Sequence, residues 1–204
     1  MKIVSTNVYV GPNIYAHFPV IRHVLDLGVL EDWPTGKLGD AFVDPLLSLL
    51  PGLEEHGCSY REPGGFVRRL REDEGTWLGH VMEHVAIELQ NVAGSPVTFG
   101  RTRSIDGSHA HYNMVFQYLD AEVGREASRL SLDLLHSLLP DELKPDDAPS
   151  SSWDFAEARD EFIRYAQARA DGQSTSSLVK AAEARGIQWI GMKRASIVQC
   201  GHGR

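Results

Sequence analysis

The chain contains few cysteines and no long hydrophobic run. Only Cys58 and Cys200 occur among its 204 residues. Because they lie far apart in the sequence, a disulfide framework is excluded as the basis of the fold. No apolar run approaches the roughly 18 to 20 residues that a membrane span requires, and the first residues lack the pattern of a signal peptide. We therefore expect a cytoplasmic protein that does not act as a membrane protein.

Basic residues are also scarce relative to acidic ones. The chain has 20 Lys and Arg against 28 Asp and Glu, which gives a formal net charge of −8. Nucleic-acid binders need an excess of positive charge, so we expect no nucleic-acid partner. An acidic surface suits a cationic or arginine-bearing ligand better. The composition, with 42% hydrophobic and 24% charged residues, is otherwise typical of a globular protein.

Strand and helix patterns alternate without a regular βαβ rhythm, which favours an α+β fold. We expect a small mixed sheet packed with three or more helices. Thr76 is the expected N-cap of the longest central helix, which ends at Gly94. The predicted strands are 2–10, 14–30, 96–102 and 110–119, and the other predicted helices are 40–50, 66–71 and 121–139.

The last third of the chain has a different pattern. Residues 141–152 are rich in Pro, Asp and Ser, which is typical of a linker. Helices are predicted at 153–170 and 174–185, and short strands at 187–190 and 196–200. This tail is too short for a confident core of its own. We therefore divide the chain into a domain at 1–140, a linker at 141–152, and a segment at 153–204 that leads into a larger domain.

The central helix carries the chemistry of the chain. His80 and His84 lie one turn apart and about 40° apart around the helix, so both rings can reach one metal ion. Together with Glu83 they form the order H-x-x-E-H, the inverse of the zincin motif. In such sites the two histidines bind zinc and the glutamate acts as general base. The pattern predicts this assignment for His80, Glu83 and His84.

A helix with a solvated polar face could carry the same His, Glu and His residues, so the position of the motif on the helix matters. The apolar residues of this helix form one stripe, with His80 and His84 at its border and Glu88 inside it. Burying an unpaired charge costs several kcal/mol, so Glu88 needs a cation, a histidine or a metal as its partner. This favours a structured polar site over a solvated face. The stripe comprises Trp77, Leu78, Val81, Met82, Val85, Leu89 and Val92.

Several residues are candidates for the third metal ligand. Glu88 is the first candidate, although its distance from His80 along the helix strains a shared ion. A role in orienting His84 through its second nitrogen is the alternative. Cys58 is expected to be a core or loop residue. Further candidate ligands lie downstream, at His109, His111, Glu122 and Glu126.

Several short phrases follow one another in a fixed order over roughly residues 1–140. They are Gly11-Pro12-Asn13, Leu50-Pro51-Gly52-Leu53, Glu55-His56, Cys58-Ser59, Pro63-Gly64-Gly65-Phe66, residues 79–90, Phe99-Gly100-Arg101-Thr102-Arg103 and Val123-Gly124-Arg125-Glu126-Ala127. In this order they resemble the N-terminal domain of cyanophycin synthetase. The tail, at residues 177–187 and 198–203, is similar to the approach to the ATP-grasp domain of that family.

The resemblance implies a parent enzyme that builds a poly-aspartate chain bearing arginine on each side chain. ATP and Mg would serve its ATP-grasp and Mur-ligase-like domains, which we expect to lie outside these 204 residues, and the parent is expected to be a homo-oligomer. No G-x-x-x-x-G-K-S/T loop occurs here, so we expect no ligase activity from these residues. The chain is then either a piece of such an enzyme or a short natural relative.

For the N-terminal domain, the resemblance implies binding of cyanophycin, the Asp/Arg polymer. It also implies a zinc-dependent hydrolase that cleaves the polymer into primers, with Glu83 as catalytic base and His80 and His84 as zinc ligands. From its position on the helix we add Glu88 as the third metal residue. A non-catalytic binding and scaffolding domain is the alternative. Arg101 and Arg103 are expected to bind substrate carboxylates through bidentate hydrogen bonds, or else to be ordinary surface arginines.

Overall fold

The computed structural model describes residues 1–170, 172–192 and 197–201. Its centre is a four-stranded sheet in the order β1-β2-β4-β3. The α+β class is confirmed, but every strand pairing in the described residues is antiparallel, whereas we expected a mixed sheet. The strands are β1 (Lys2–Tyr9), β2 (Val20–Asp26), β3 (Gly100–Ser104) and β4 (His111–Gln117).

Helices cover one face of this sheet. The first five are α1 (Thr35–Leu38), α2 (Asp40–Leu49), α3 (Gly65–Arg71), α4 (Leu78–Val92) and α5 (Ala121–Leu138). Alternate residues of β2 and β4 point toward the helices and are fully buried, as the period of two in a strand requires. They are Ile21, Leu25, Met114 and Phe116.

Helix α4 packs against β3, β4 and α5, so it is buried on most of its circumference. Every residue from Leu78 to Gln90 is buried except His80, which is partly exposed. The single apolar stripe that we predicted was therefore too narrow. Val92 was expected inside it but is 43% exposed, at the last residue of α4. The motif consequently sits in the interior of the fold, with one side reaching solvent.

Two boundaries differ from the predictions for local reasons. The extended stretch expected at 14–30 becomes strand only from Val20. The side chain of Asn13 accepts hydrogen bonds from the amides of Tyr15 and Ala16 and donates to the carbonyl of Gly11, which folds this segment into a loop. After β2 the backbone turns through Gly28, whose φ of 54° is left-handed, into a short 3₁₀ helix (Gly28–Asp32).

The C-terminal part is helical, as expected, but it does not begin as a separate layer. Helix α6 (Phe155–Arg169) packs on α5, and its buried side chains join the same core. Helix α7 (Gln173–Glu183) contacts the two-stranded antiparallel sheet of β5 (Trp189–Met192) and β6 (Ile197–Cys200). The strand expected at 196–200 includes residue 196, which lies outside the described residues. The buried residues that α6 contributes are Phe155, Phe162 and Ala166.

Across the described ranges, every helix is too short or too polar to cross a membrane.

Candidate functional site

A cleft of about 960 Å³ opens where the motif helix meets strand β3. Helix α4 forms its floor, through His80, Glu83 and His84. Residues 97–104, which include all of β3, form one wall. The loop around residues 55–61 forms the opposite wall. The cleft thus brings together three segments that are far apart in the sequence.

Three metal-ligating side chains meet in this cleft. Ligand atoms of Cys58, His80 and His84 all lie within 4.8 Å of one another. The Sγ atom of Cys58 is 3.5 Å from Nε2 of His80. Zinc bonds of about 2.0–2.1 Å to nitrogen and 2.3 Å to sulfur place tetrahedral N and S ligands roughly 3.6 Å apart. The separation of Cys58 and His80 matches this value, and the bound of 4.8 Å on all three ligand atoms makes the group a candidate metal site.

Hydrogen bonds orient both histidine rings of this group. The hydroxyl of Thr76 lies 2.9 Å from Nδ1 of His80. The Nδ1 atom of His56 lies 2.8 Å from Nδ1 of His84. With Nδ1 engaged, each ring keeps Nε2 for a ligand. Thr76 was predicted to cap α4, but Trp77 occupies the N-cap position, and the Thr76 hydroxyl serves His80 instead.

Burial keeps both imidazoles neutral. It lowers the pKa of His80 to about 4, with the positive charges of Arg69 and Arg103 adding to the effect. Burial also lowers the pKa of His84 well below its usual value, helped by the neighbouring His80 and His56. A neutral imidazole offers its lone pair without first losing a proton. The two rings are therefore ready to bind a metal at neutral pH.

Glu83 lies on the side of α4 that faces β3. Its side chain is nearly inaccessible, and Thr102 donates a hydrogen bond to Oε2 at 2.5 Å. Burial raises the pKa of Glu83 to about 8, partly offset by Thr102 and the charge of Arg103. Strand β3 can approach this closely because Gly100 has no Cβ, which would lie 2.3 Å from Oε1 of Glu83. The carboxyl therefore holds a proton at neutral pH.

Glu88 lies one turn of α4 beyond His84 and contacts different partners from Glu83. Its Oε2 atom is 3.0 Å from Nε2 of His56, so the expected partner is a histidine. Gly52 makes room for it, since a Cβ there would lie 1.9 Å from Oε1 of Glu88. We expected Glu88 among the metal residues, but it lies outside the group of Cys58, His80 and His84. It reaches His84 only through His56, because the helix carries its side chain past the group.

Four arginines line the cleft. Arg101 and Arg103, the predicted substrate residues, come from β3, Arg61 comes from the loop around residues 55–61, and Arg69 comes from helix α3. Among the described residues, no carboxylate lies within ion-pair distance of any of them. Arg103 donates a hydrogen bond to the backbone carbonyl of Thr102. In a protein of net charge −8, this cleft is locally rich in positive charge.

The downstream candidate ligands lie elsewhere. Nδ1 of His111 contacts the carbonyl of His109, at the end of β4. Glu122 and Glu126 form ion pairs within α5, with Arg125 and Arg129. In the described part of the chain, none of these candidates joins Cys58, His80 and His84.

Reasoning from sequence missed His56 and Cys58 as site residues. Cys58 was assigned to the core or a loop, although it carries a thiol two residues after a histidine. That spacing, in a glycine-containing loop, is the one signal that could have suggested a second ligand segment. Its backbone adds a structural sign, since Cys58 has a positive φ of 48°.

Comparison with known proteins places the chain in one family. The model of the cyanophycin synthase-like N-terminal domain matches residues 22–140. Similar relatives include the cyanophycin synthetase of Crocosphaera subtropica, 39% identical over 206 residues, and that of Geminocystis herdmanii, 36% identical over 208 residues. Both alignments cover 100% of this chain but only 22% of the relative. The chain thus spans about a fifth of the length of these proteins.

Proposed function

The chain belongs to the family of cyanophycin synthase-like N-terminal domains, and from this premise we propose that it binds cyanophycin and cleaves it hydrolytically with the help of a metal ion. The observation that carries the proposal is the meeting of Cys58, His80 and His84 beside a buried glutamate, in an open cleft. ATP-dependent ligation we assign to those parts of the relatives that lie outside the matched fifth.

Zinc is the metal that suits this donor set. A thiolate and two neutral imidazoles are its usual ligands, and a catalytic zinc site has three protein ligands and one open position. Held by Cys58, His80 and His84, zinc would supply Lewis-acid polarisation of an amide carbonyl and a lowered pKa for water. His56 and Thr76 hold the two imidazoles in place, and Glu88 supports His56.

Glu83 is the proton-transfer residue in this proposal. Thr102 occupies its Oε2 atom, which leaves Oε1 to take a proton from water and to pass it to the leaving amine. A nearby divalent cation favours the charged form of a carboxyl group, so the pKa of Glu83 falls when the site is loaded. The buried carboxyl is then a base that becomes active only when the metal is present.

The four unpaired arginines support binding of the polymer. Cyanophycin carries carboxylate groups, and guanidinium groups bind carboxylates through paired hydrogen bonds. This observation alone also supports the second candidate function, a polymer-binding domain without hydrolysis. The two candidates differ in whether the Cys58, His80 and His84 group holds a metal.

The test is to incubate the purified chain with cyanophycin and zinc and to measure fragment length over time. We expect shortening that a chelator abolishes. Cys58→Ser should reduce both bound zinc and cleavage, whereas Cys200→Ser, at an exposed position, is the matched control and should change neither. Uncut polymer together with zinc-free protein would leave only the binding function.

A further inference from the structure

We propose that the free edge of strand β3 is a docking site for an extended polypeptide main chain whose side chains carry carboxylates, and that this chain binds as a fifth strand of the sheet. The proposal rests on the proposed function and deepens it, because it states how the polymer is held over the cleft. Among the residues that the structure describes, β3 is the outermost strand of its sheet and pairs with β4 alone.

The register of the β3–β4 pair determines which backbone groups are available. The amide of Gln117 donates to the carbonyl of Phe99, and the amide of Ile105 donates to the carbonyl of His111. In an antiparallel ladder, hydrogen-bonded residues alternate with residues whose N–H and C=O point away. Arg101 and Arg103 therefore bond to β4. The backbone groups that point to the open edge belong to Gly100, Thr102 and Ser104.

This edge lies along the cleft. All of β3 lines the cleft, and its inner face contacts the motif helix through Thr102 and Gly100. A chain paired with the edge runs past Glu83, with its main-chain amides at the level of the site. The carbonyl of Thr102 already accepts a hydrogen bond from Nη1 of Arg103, so a donor outside the ladder can reach this edge.

The charges of the strand indicate the chemistry of the occupant. By strand alternation, Arg101 and Arg103 extend from the face of the sheet opposite to Thr102. Two residues of a strand span about 6.6 Å, so their side chains repeat at the spacing of alternate side chains in an added strand. Carboxylates on alternate residues of the bound chain can therefore meet both guanidinium groups. Arg61, in the loop around residues 55–61, and Arg69, in helix α3, add the same charge to the cleft.

Main-chain pairing distinguishes this occupant from other polyanions. In strand addition, affinity comes from backbone hydrogen bonds and specificity from alternate side chains. A polycarboxylate without peptide groups would contact the arginines but leave the edge amides free. The proposal is therefore tested by comparing a decamer of L-aspartate with a polyacrylate of the same number of carboxylates, both with metal-free protein in the presence of EDTA.

The first measurement is amide hydrogen exchange of the wild-type chain by NMR. We expect the decamer to slow exchange at Gly100, Thr102 and Ser104 at least tenfold, and polyacrylate to leave these amides unchanged. The amides of Arg101 and Arg103 serve as internal controls, because the ladder with β4 already protects them. Unchanged exchange at the three edge amides, at saturating decamer, overturns the proposal.

The second measurement is calorimetric binding with a variant pair. Ser104→Pro removes an edge amide while keeping the ladder with β4, and proline is tolerated on edge strands where its nitrogen faces solvent. We expect roughly fivefold weaker binding of the decamer, the net value of one hydrogen bond. Binding of polyacrylate should not change. Ser104→Ala keeps the amide and should bind both ligands as wild type does, and equal decamer affinities of the two variants contradict the proposal.

These tests separate this inference from the hydrolase proposal, because neither uses metal or cleavage. Protected edge amides together with uncut cyanophycin support the docking edge and refute the hydrolase. Cleavage of cyanophycin together with unprotected edge amides supports the hydrolase and refutes the docking edge. If Ser104→Pro fails to fold, the exchange measurement on the wild-type chain decides alone.

Discussion

The two flanks of helix α4 hold their buried carboxyl groups in opposite ways. On the flank that faces β3, Glu83 is 3% exposed and meets a hydroxyl group, so its proton stays on. On the flank that faces the loop after α2, Glu88 is 8% exposed and meets the ring of His56. The same residue type, five residues apart on one helix, thus has a partner without charge on one side and a basic partner on the other.

This difference assigns different work to the two flanks. A carboxyl group that lacks a basic partner can exchange its proton when a cation arrives, which suits the chemical step. Glu88 is hydrogen-bonded to His56, which contacts His84. Its carboxyl group can therefore act only by helping to position the His84 ring. We therefore expect changes at Glu83 to affect turnover and changes at Glu88 to affect metal affinity.

The largest expected effect is on turnover. Glu83→Gln should lower cyanophycin cleavage by about 10²- to 10⁴-fold, the usual contribution of a general base. Zinc content should stay unchanged, because Glu83 is outside the group of Cys58, His80 and His84. The measurement is fragment release at saturating zinc, together with metal analysis of the same sample. Wild-type cleavage by this variant would remove Glu83 from the mechanism.

The same substitution should change the pH dependence of stability in metal-free protein. The pKa of Glu83 is about 8 in the folded chain, above its ordinary value of 4.5, so the folded state holds this proton more tightly. Stability then falls as pH rises from about 4.5 to 8, by on the order of 4 kcal/mol. Glutamine does not ionise, so the stability of Glu83→Gln should not fall in this way. The free energy of unfolding of the variant, relative to that of wild type, should therefore increase as the pH rises toward 8.

Chemical denaturation in EDTA at several pH values measures this difference. His80, whose lowered pKa makes stability rise between about pH 4 and 6.5, is present in both proteins and cancels. A difference between the two proteins that does not vary with pH would show that Glu83 is ionised in the folded chain.

On the other flank we expect a smaller effect, on metal binding. Glu88→Gln should weaken zinc affinity by about 10-fold, the low end of the usual effect of an outer-shell group, because Glu88 acts on the ligand His84 through His56. Cleavage at saturating zinc should remain near the wild-type rate. Competition with a chromophoric chelator gives the affinity. Loss of turnover at full zinc occupancy would instead give Glu88 a direct part in the reaction.

The smallest expected effects come from the two glycines that admit the carboxyl groups. Gly100→Ala and Gly52→Ala should each cost about 1–3 kcal/mol of stability, because the added Cβ displaces a buried side chain. Gly100→Ala should reduce turnover and Gly52→Ala zinc affinity. Gly11→Ala, where nothing lies within 4 Å of the added Cβ, is the control. Thermal unfolding and the two functional assays compare the three variants. Reduced zinc affinity in Gly100→Ala together with reduced turnover in Gly52→Ala would reject the division between the flanks.

Much of the fold could be predicted from local patterns. The alternation in 110–119 and the apolar periodicity of 121–139 predicted β4 and α5, because a period of two or 3.6 follows directly from backbone geometry. The mixed sheet was wrong, since strand order and direction depend on contacts between distant residues. The loop at 14–19 was missed because the hydrogen bonds of one side chain, that of Asn13, overrode a β-rich composition.

The spacing of His80, Glu83 and His84, the need of Glu88 for a partner, and the family all follow from the amino-acid order, since each lies within one helix or in the order of short phrases. Tertiary packing instead brings Cys58 and His56 to that helix, encloses Glu83 between Thr102 and Gly100, and places an edge strand along the cleft. Helix geometry is local and follows from spacing, whereas these contacts join segments about 20 to 30 residues apart, which the packing of the whole core brings together.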